Sequence, residues 1–225
     1  MTLMQRVGRS AILVVVLSVA GVWFSGGRAP AQDEARTNTK YPQQVLIIRH
    51  AEKTGDKADV HLSEQGQERA RVLSQLFVAS RDRPDPFPTP DFIFAASDAK
   101  DSRRPVETVT PLALRLKLPI NDMYESKLPA APDPGGGKDN AAKGRGMLGL
   151  RDEVFGEPKY FGKIILVSWR HSTIPELAKT LRANKVPAKW EDNVFDRVWQ
   201  ITYDDQGNAA FRDRPQRLLP GDAEK

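Results

Sequence analysis

The chain has no cysteine in its 225 residues and only three histidines. Without a thiol it can form no disulfide, no thiolate metal site and no cysteine nucleophile, and it has no cysteine to carry a lipid. The His-x-x-x-His spacing of helical metal sites and the Gly-x-Ser-x-Gly elbow of serine hydrolases are both missing. No internal repeat is evident beyond the paired strand-histidine units described below. The longest apolar run, Ala11 to Phe24, is about fourteen residues, short of the roughly twenty that span hydrocarbon comfortably. Charge of one sign is also modest. Of the net +5, three charges are Arg6, Arg9 and Arg28, which leaves +2 on the remainder of the chain. That is too little to argue for a nucleic-acid partner, and no basic run with interleaved aromatics appears.

The amino end carries a leader pattern: Arg6 and Arg9, the apolar run, then Ala29-Pro30-Ala31. A basic start, a short apolar stretch and an A-x-A-like site are the layout of a signal peptide. Residues 1–31 are therefore expected to be removed and the chain exported, to the periplasm or another extracytoplasmic space. The alternative is an uncleaved segment that anchors the protein to the membrane. Residues 32–44 are polar and expected as a linker, 45–214 as one α/β domain, and 215–225 as a polar tail.

Two stretches organise that domain. Val45 to Lys53 reads VLIIRHAEK and Ile164 to Ser172 reads IILVSWRHS. In each, an apolar run of the kind found in strands covered on both faces delivers a histidine at its end. Ligands on parallel sheets bind beyond the carboxyl ends of the strands, so one sheet could present His50 and His171 to the same crevice. Between and after these strands the pattern predicts a helix capped by Ser63, with Ala70, Leu73 and Phe77 inward. An exposed proline-rich connection follows over Arg81–Pro90, then a strand over Asp91–Ser97. Ser102 is expected to cap the next helix, with Pro105 in its first turn and a kink or break at Pro111. Leu118–Met123 is expected as a short edge strand, and 126–143 as a long surface loop, either a lid or a disordered insertion. Helices are expected at Met147–Phe155 and Thr173–Arg182, and a strand at Phe195–Tyr203 with Ala209–Arg212 as its hairpin partner. The order implies a three-layer α/β/α sandwich with a mostly parallel central sheet.

Neutral imidazole is a competent nucleophile toward phosphorus, and a phosphohistidine splits a hard hydrolysis into two easier displacements. The phosphoryl group in flight spreads charge over its equatorial oxygens, which guanidinium forks neutralise and orient. Arg49 adjoins His50, and Arg104 stands at the start of the helix after the second strand. A metal held by His50, His171 and a carboxylate is opposed by the arginine beside each histidine. His61 lies in a charged loop and is expected to be plain surface.

These residues resemble the histidine phosphatase superfamily, the phosphoglycerate-mutase-like group, over nearly all of the expected domain. Arg49-His50-Ala51-Glu52 matches its Arg-His-Gly/Ala-Glu signature. Leu62, Ser63, Gly66, Arg69 and Ala70 match the next motif; Arg104, Glu107 and Thr108, followed by Pro111-Leu112-Ala113, match the third; and His171 matches the second strand-end histidine. The resemblance implies a phosphomonoester hydrolase in which His50 becomes phosphorylated and Arg49, Arg104 and His171 complete the phosphate pocket, with no cofactor. Two departures stand out. Trp169-Arg170 precede His171, which makes Arg170 a candidate further phosphate ligand or a solvent-facing residue. Ser172 excludes the branch in which an aspartate follows the second histidine, and leaves Glu125 as the candidate proton donor. Glu52 is expected to orient arginines rather than to act as the acid. The substrate would be a small phosphomonoester or a phosphorylated envelope component. The rival class is an envelope protein that binds phosphate or another anionic ligand without turning it over, and a phosphomutase is a third.

Overall fold

The computed structural model describes residues 40–56, 58–81, 83–97, 102–126 and 146–223. Residues 1–31, expected as a leader, residues 32–39 of the expected linker and residues 127–143 of the expected long loop lie outside them. Among the described residues no helix is long and apolar enough to cross a membrane.

Strand β1 (Gln44–Arg49) is buried along its whole length. Alternation along a strand explains why apolar residues fill every central position. Val45 and Ile47 pack with α3 (Gly146–Gly156) and α4 (Ile174–Thr180) on one face, while Leu46 and Ile48 pack with α2 (Arg104–Leu116) on the other. Each fully buried aliphatic side chain contributes roughly 2 kcal/mol. Strands β2 (Phe92–Ala96), β3 (Ile120–Tyr124) and β4 (Ile164–Trp169) extend a parallel sheet from β1. Strands β5 (Arg197–Tyr203) and β6 (Ala209–Pro215) add antiparallel on its other side. The order is β3-β2-β4-β1-β5-β6, six strands between two helical layers. This is the three-layer, mostly parallel sandwich expected.

The connection leaving β1 packs its Leu73 and Leu76 with α2, whereas β4 leads into α4 on the opposite face. Chains departing adjacent strands toward opposite faces open a crevice at their carboxyl ends, which is where such sheets bind ligands. His50 directly follows β1 and His171 lies two residues past β4; register pairs Arg49 with Trp169, and the His50 N–H donates to the Trp169 carbonyl at 3.0 Å.

Helix α1 (Glu64–Val72) begins where expected, with Ser63 accepting from the Gly66 N–H at 3.1 Å. Glycine costs about 1 kcal/mol in a helix relative to alanine. Here it is required, because a Cβ at Gly66 would lie 2.3 Å from the Glu52 carbonyl oxygen and 2.9 Å from its nitrogen. Gly66→Ala is therefore expected to destabilise the domain by about 2 kcal/mol or more despite its better propensity, measured as a lowered urea midpoint at unchanged slope.

Four local expectations fail. Ser102 does not cap α2: the N-cap is Arg103, and the buried Ser102 hydroxyl has no partner among the described residues. Helix α2 runs unbroken across Pro111, its packing against the sheet outweighing one lost main-chain bond. The proline-rich Arg81–Pro90 connection is not wholly exposed, since Phe87 is buried against the Leu73, Leu76 and Leu112 core and Arg83 donates to the carbonyls of Gln75 and Arg217 at 2.7 and 3.1 Å. Strand β5 starts at Arg197 rather than Phe195. The polar carboxyl end is tied to the domain through Arg69. That guanidinium donates to Glu52 at 2.7–3.0 Å and to Asp222 at 2.8 Å, in a buried cluster that also receives Gln216.

Candidate active site

His50 is almost completely buried. Its Nδ1 lies 2.7 Å from the Ala51 carbonyl, which can only accept, so Nδ1 carries the proton and Nε2 holds the lone pair. Burial, with help from Arg49, Arg104 and His171 and against the Ala51 carbonyl, pushes its pKa down to about 3. The ring is thus neutral at any physiological pH. The charges of Arg49, Arg104 and His171 all reach the ring and favour its neutral form.

Arg49 shares its strand parity with Val45 and Ile47, and its guanidinium reaches a loop between α4 and β5. Its Nη1 donates to the carbonyls of Glu191, Asp192 and Val194 at 3.1, 2.7 and 3.0 Å, and the Phe195 ring lies against it at 3.7 Å. Its Nε and Nη2 are buried with no partner among the described residues. Burial lowers its pKa to about 10, with Asp192 and Glu52 opposing and Arg104 assisting, so it stays charged. An ionised donor left buried and unpaired is costly, and such groups cluster where an anion is to be held.

Arg104, at the first turn of α2, is also held by main chain: Nε donates to the His61 carbonyl at 2.9 Å and Nη2 to the Asp59 carbonyl. Carbonyl dipoles orient both arginines without neutralising them, and so keep their full charge for a ligand. His171 lies with Nε2 3.3 Å from an Asp192 carboxylate oxygen, which leaves Nδ1 facing inward, buried and without a partner among the described residues. Its pKa is lowered by burial and then by Arg49, against the pull of Asp192.

Arg170 is half-buried at the end of β4, its carbonyl accepting from Thr173 and Ile174. Glu125 is exposed just past β3, which is two strands removed from β4. Glu52 orients Arg69 directly, and it bears on Arg49 only through its charge. His61 is more than plain surface, because its carbonyl helps hold Arg104. Sequence reasoning missed Asp192 and Phe195 altogether. Phe195 was absorbed into an alternating strand pattern, and the carbonyls that grip the arginines carry no residue-specific signal. Among the described residues no group of three or more His, Asp or Glu side chains is placed to hold a metal ion.

No protein-family model matches the chain, and no curated protein matches it. Among solved structures it is similar to a candidate alpha-ribazole-5'-P phosphatase from Escherichia coli, with 15% identity, a TM-score of 0.50, and coverage of 79% of this chain and 98% of that one. It is similar also to a mycobacterial glucosyl-3-phosphoglycerate phosphatase solved with inorganic phosphate (17% identity, TM-score 0.46, 76% and 95% covered). A third is phosphoglycerate mutase from Plasmodium falciparum (14% identity, TM-score 0.46, 81% and 97% covered). At such identities a likeness speaks for architecture alone, and on it the chain has the mostly parallel three-layer fold of the first of these structures.

Proposed function

We propose that the protein is an exported phosphatase that hydrolyses phosphomonoesters through a phosphohistidine on His50. One observation carries this reading: a neutral imidazole whose Nδ1 carries the proton lies within the electrostatic reach of Arg49 and His171, whose Nε, Nη2 and Nδ1 are buried without a partner among the described residues. In the first step Nε2 attacks phosphorus; the N–P bond forms as the ester P–O bond breaks, and the departing oxygen takes a proton. Arg49 and Arg104 neutralise the equatorial oxygens as the charge shifts. In the second step water adds to phosphorus, the N–P bond breaks, and inorganic phosphate and a proton leave. Alkyl esters need an acid for the departing oxygen, the role proposed for Glu125, and aryl esters do not. Arg170 is proposed as a further phosphate contact. With residues 1–31 as a leader, the substrate is a small phosphomonoester or a phosphorylated component of the envelope.

The purified protein is expected to turn over p-nitrophenyl phosphate and to accumulate an acid-labile, alkali-stable phosphoenzyme. Absence of both leaves an anion-binding protein in its place. Export is checked by the mature amino terminus, expected at Gln32.

Anion binding is also expected to be proton-linked. The free-state surroundings depress His171, whereas a bound dianion favours its charged form and a hydrogen bond from Nδ1. Titration with tungstate, a dianion that does not itself titrate near neutrality, should be accompanied by net proton uptake. Calorimetry in buffers of different ionisation enthalpy measures the uptake. His171→Gln should remove it, and an unchanged proton count in that variant rules out this role.

A further inference from the structure

The carbonyls that grip Arg104 belong to the connection between β1 and α1, and a loop aims a side chain only as well as it is itself held. Inside the loop, the Thr54 hydroxyl donates to Asp59 at 3.0 Å and Asp59 accepts from the His61 N–H at 2.9 Å. The Arg103 N–H donates to the Val60 carbonyl at 2.9 Å, and Lys53 pairs with Leu62 across a single bridge. One side chain from outside grips the segment next to Arg104. Glu107, three residues after Arg104 and so on the same side of α2, accepts from the Leu62 N–H at 3.0 Å through one oxygen, and its other oxygen lies 2.5 Å from His61 Nδ1. One bond ends on the ring of His61 and the other on the N–H of the His61–Leu62 peptide, whose carbonyl accepts from Arg104.

We propose that Glu107 is a positioning residue: it makes no contact with the phosphoryl group, but pins residues 61 and 62 so that the Asp59 and His61 carbonyls aim Arg104 at the anion. This rests on the reading of the crevice as a phosphate site. The arrangement answers a physical problem. A carboxylate bonded directly to Arg104 would orient it but cancel the charge the ligand needs. Placing the carboxylate one step back, behind two uncharged carbonyls and paired with His61, keeps the orientation and spares the charge. Bidentate recognition by a rigid planar fork is sensitive to small rotations, so a loosened loop should weaken binding although every phosphate-contacting side chain remains.

Tungstate affinity measured in a double-mutant cycle tests this. Glu107→Ala is expected to weaken binding by about tenfold and Arg104→Ala by about a hundredfold, with the double variant no weaker than Arg104→Ala. Glu107→Gln keeps an acceptor for Leu62 and a hydrogen-bonding group for the His61 ring, and should recover affinity to within about threefold of wild type. Additive losses, unchanged affinity in Glu107→Ala, or a Gln variant as weak as Ala overturn the proposal. If Glu107→Ala does not fold, His61→Ala at its exposed site gives the same test, with a loss of about threefold that vanishes when Arg104 is alanine. Turnover of p-nitrophenyl phosphate on the same proteins separates the two ideas. Coupled binding without turnover removes only the phosphatase reading, and turnover with additive losses removes only the role of Glu107. A wild type that does not bind tungstate overturns both.

Discussion

His50→Ala is expected to lower turnover of p-nitrophenyl phosphate by a factor of at least about 10³ and to eliminate the phosphoenzyme, with tungstate affinity reduced by no more than about tenfold. The split follows from what each group does. Arg49 is anchored by three carbonyls and the Phe195 ring, and Arg104 by two carbonyls, so neither depends on the imidazole for its orientation. Binding therefore survives while the nitrogen proposed to attack is gone. The Ala51 carbonyl and the adjoining guanidinium groups remain, and water has no comparable lone pair aimed at phosphorus. Rapid quench into acid and into alkali distinguishes a phosphohistidine, which only alkali preserves, from a phosphoserine, which shows the reverse. A His50→Ala protein retaining more than a tenth of wild-type turnover would place the nucleophile elsewhere.

The second large effect is acid lability. His50 sits at about 3 when folded and near 6.5 when unfolded, so between these values the unfolded chain binds the extra proton and stability falls as pH falls. The slope reaches at most about 1.4 kcal/mol per pH unit, amounting to roughly 5 kcal/mol over the window, a large part of a domain's margin. His171 is displaced in the same direction, by burial first and then Arg49. Asp222 adds to it lower down: burial raises its carboxyl, but the hydrogen bonds from Arg69, Leu218 and Leu219 prevail and lower it, so its contribution is present above the unfolded value and is lost as pH drops through the folded one. Urea melts from pH 7 to pH 5 should show a steadily falling midpoint, and His50→Gln, which cannot titrate, should flatten it. An equal slope in both proteins overturns the assignment.

Much of this molecule follows from residue order. The apolar runs before Arg49 and Trp169 announce strands buried on both faces, because a strand that fills both parities with aliphatics has nowhere to meet water. The Arg-His-Ala-Glu turn, the Ser63 cap and the histidine at 171 were likewise identifiable from type and spacing, since reactive side chains at strand ends are rare and chemically specific. Folding in three dimensions settled how the charged groups are held. Arg49 takes its partners from main chain 142 to 145 residues away, Arg104 from main chain 43 to 45 residues back, and Arg69 from an aspartate 153 residues on. Side-chain pattern reports what a residue is, whereas every residue has a carbonyl. Which carbonyls meet which guanidinium depends on the path of loops that carry no periodicity, and is decided only when the sheet and its two helical layers have closed around them.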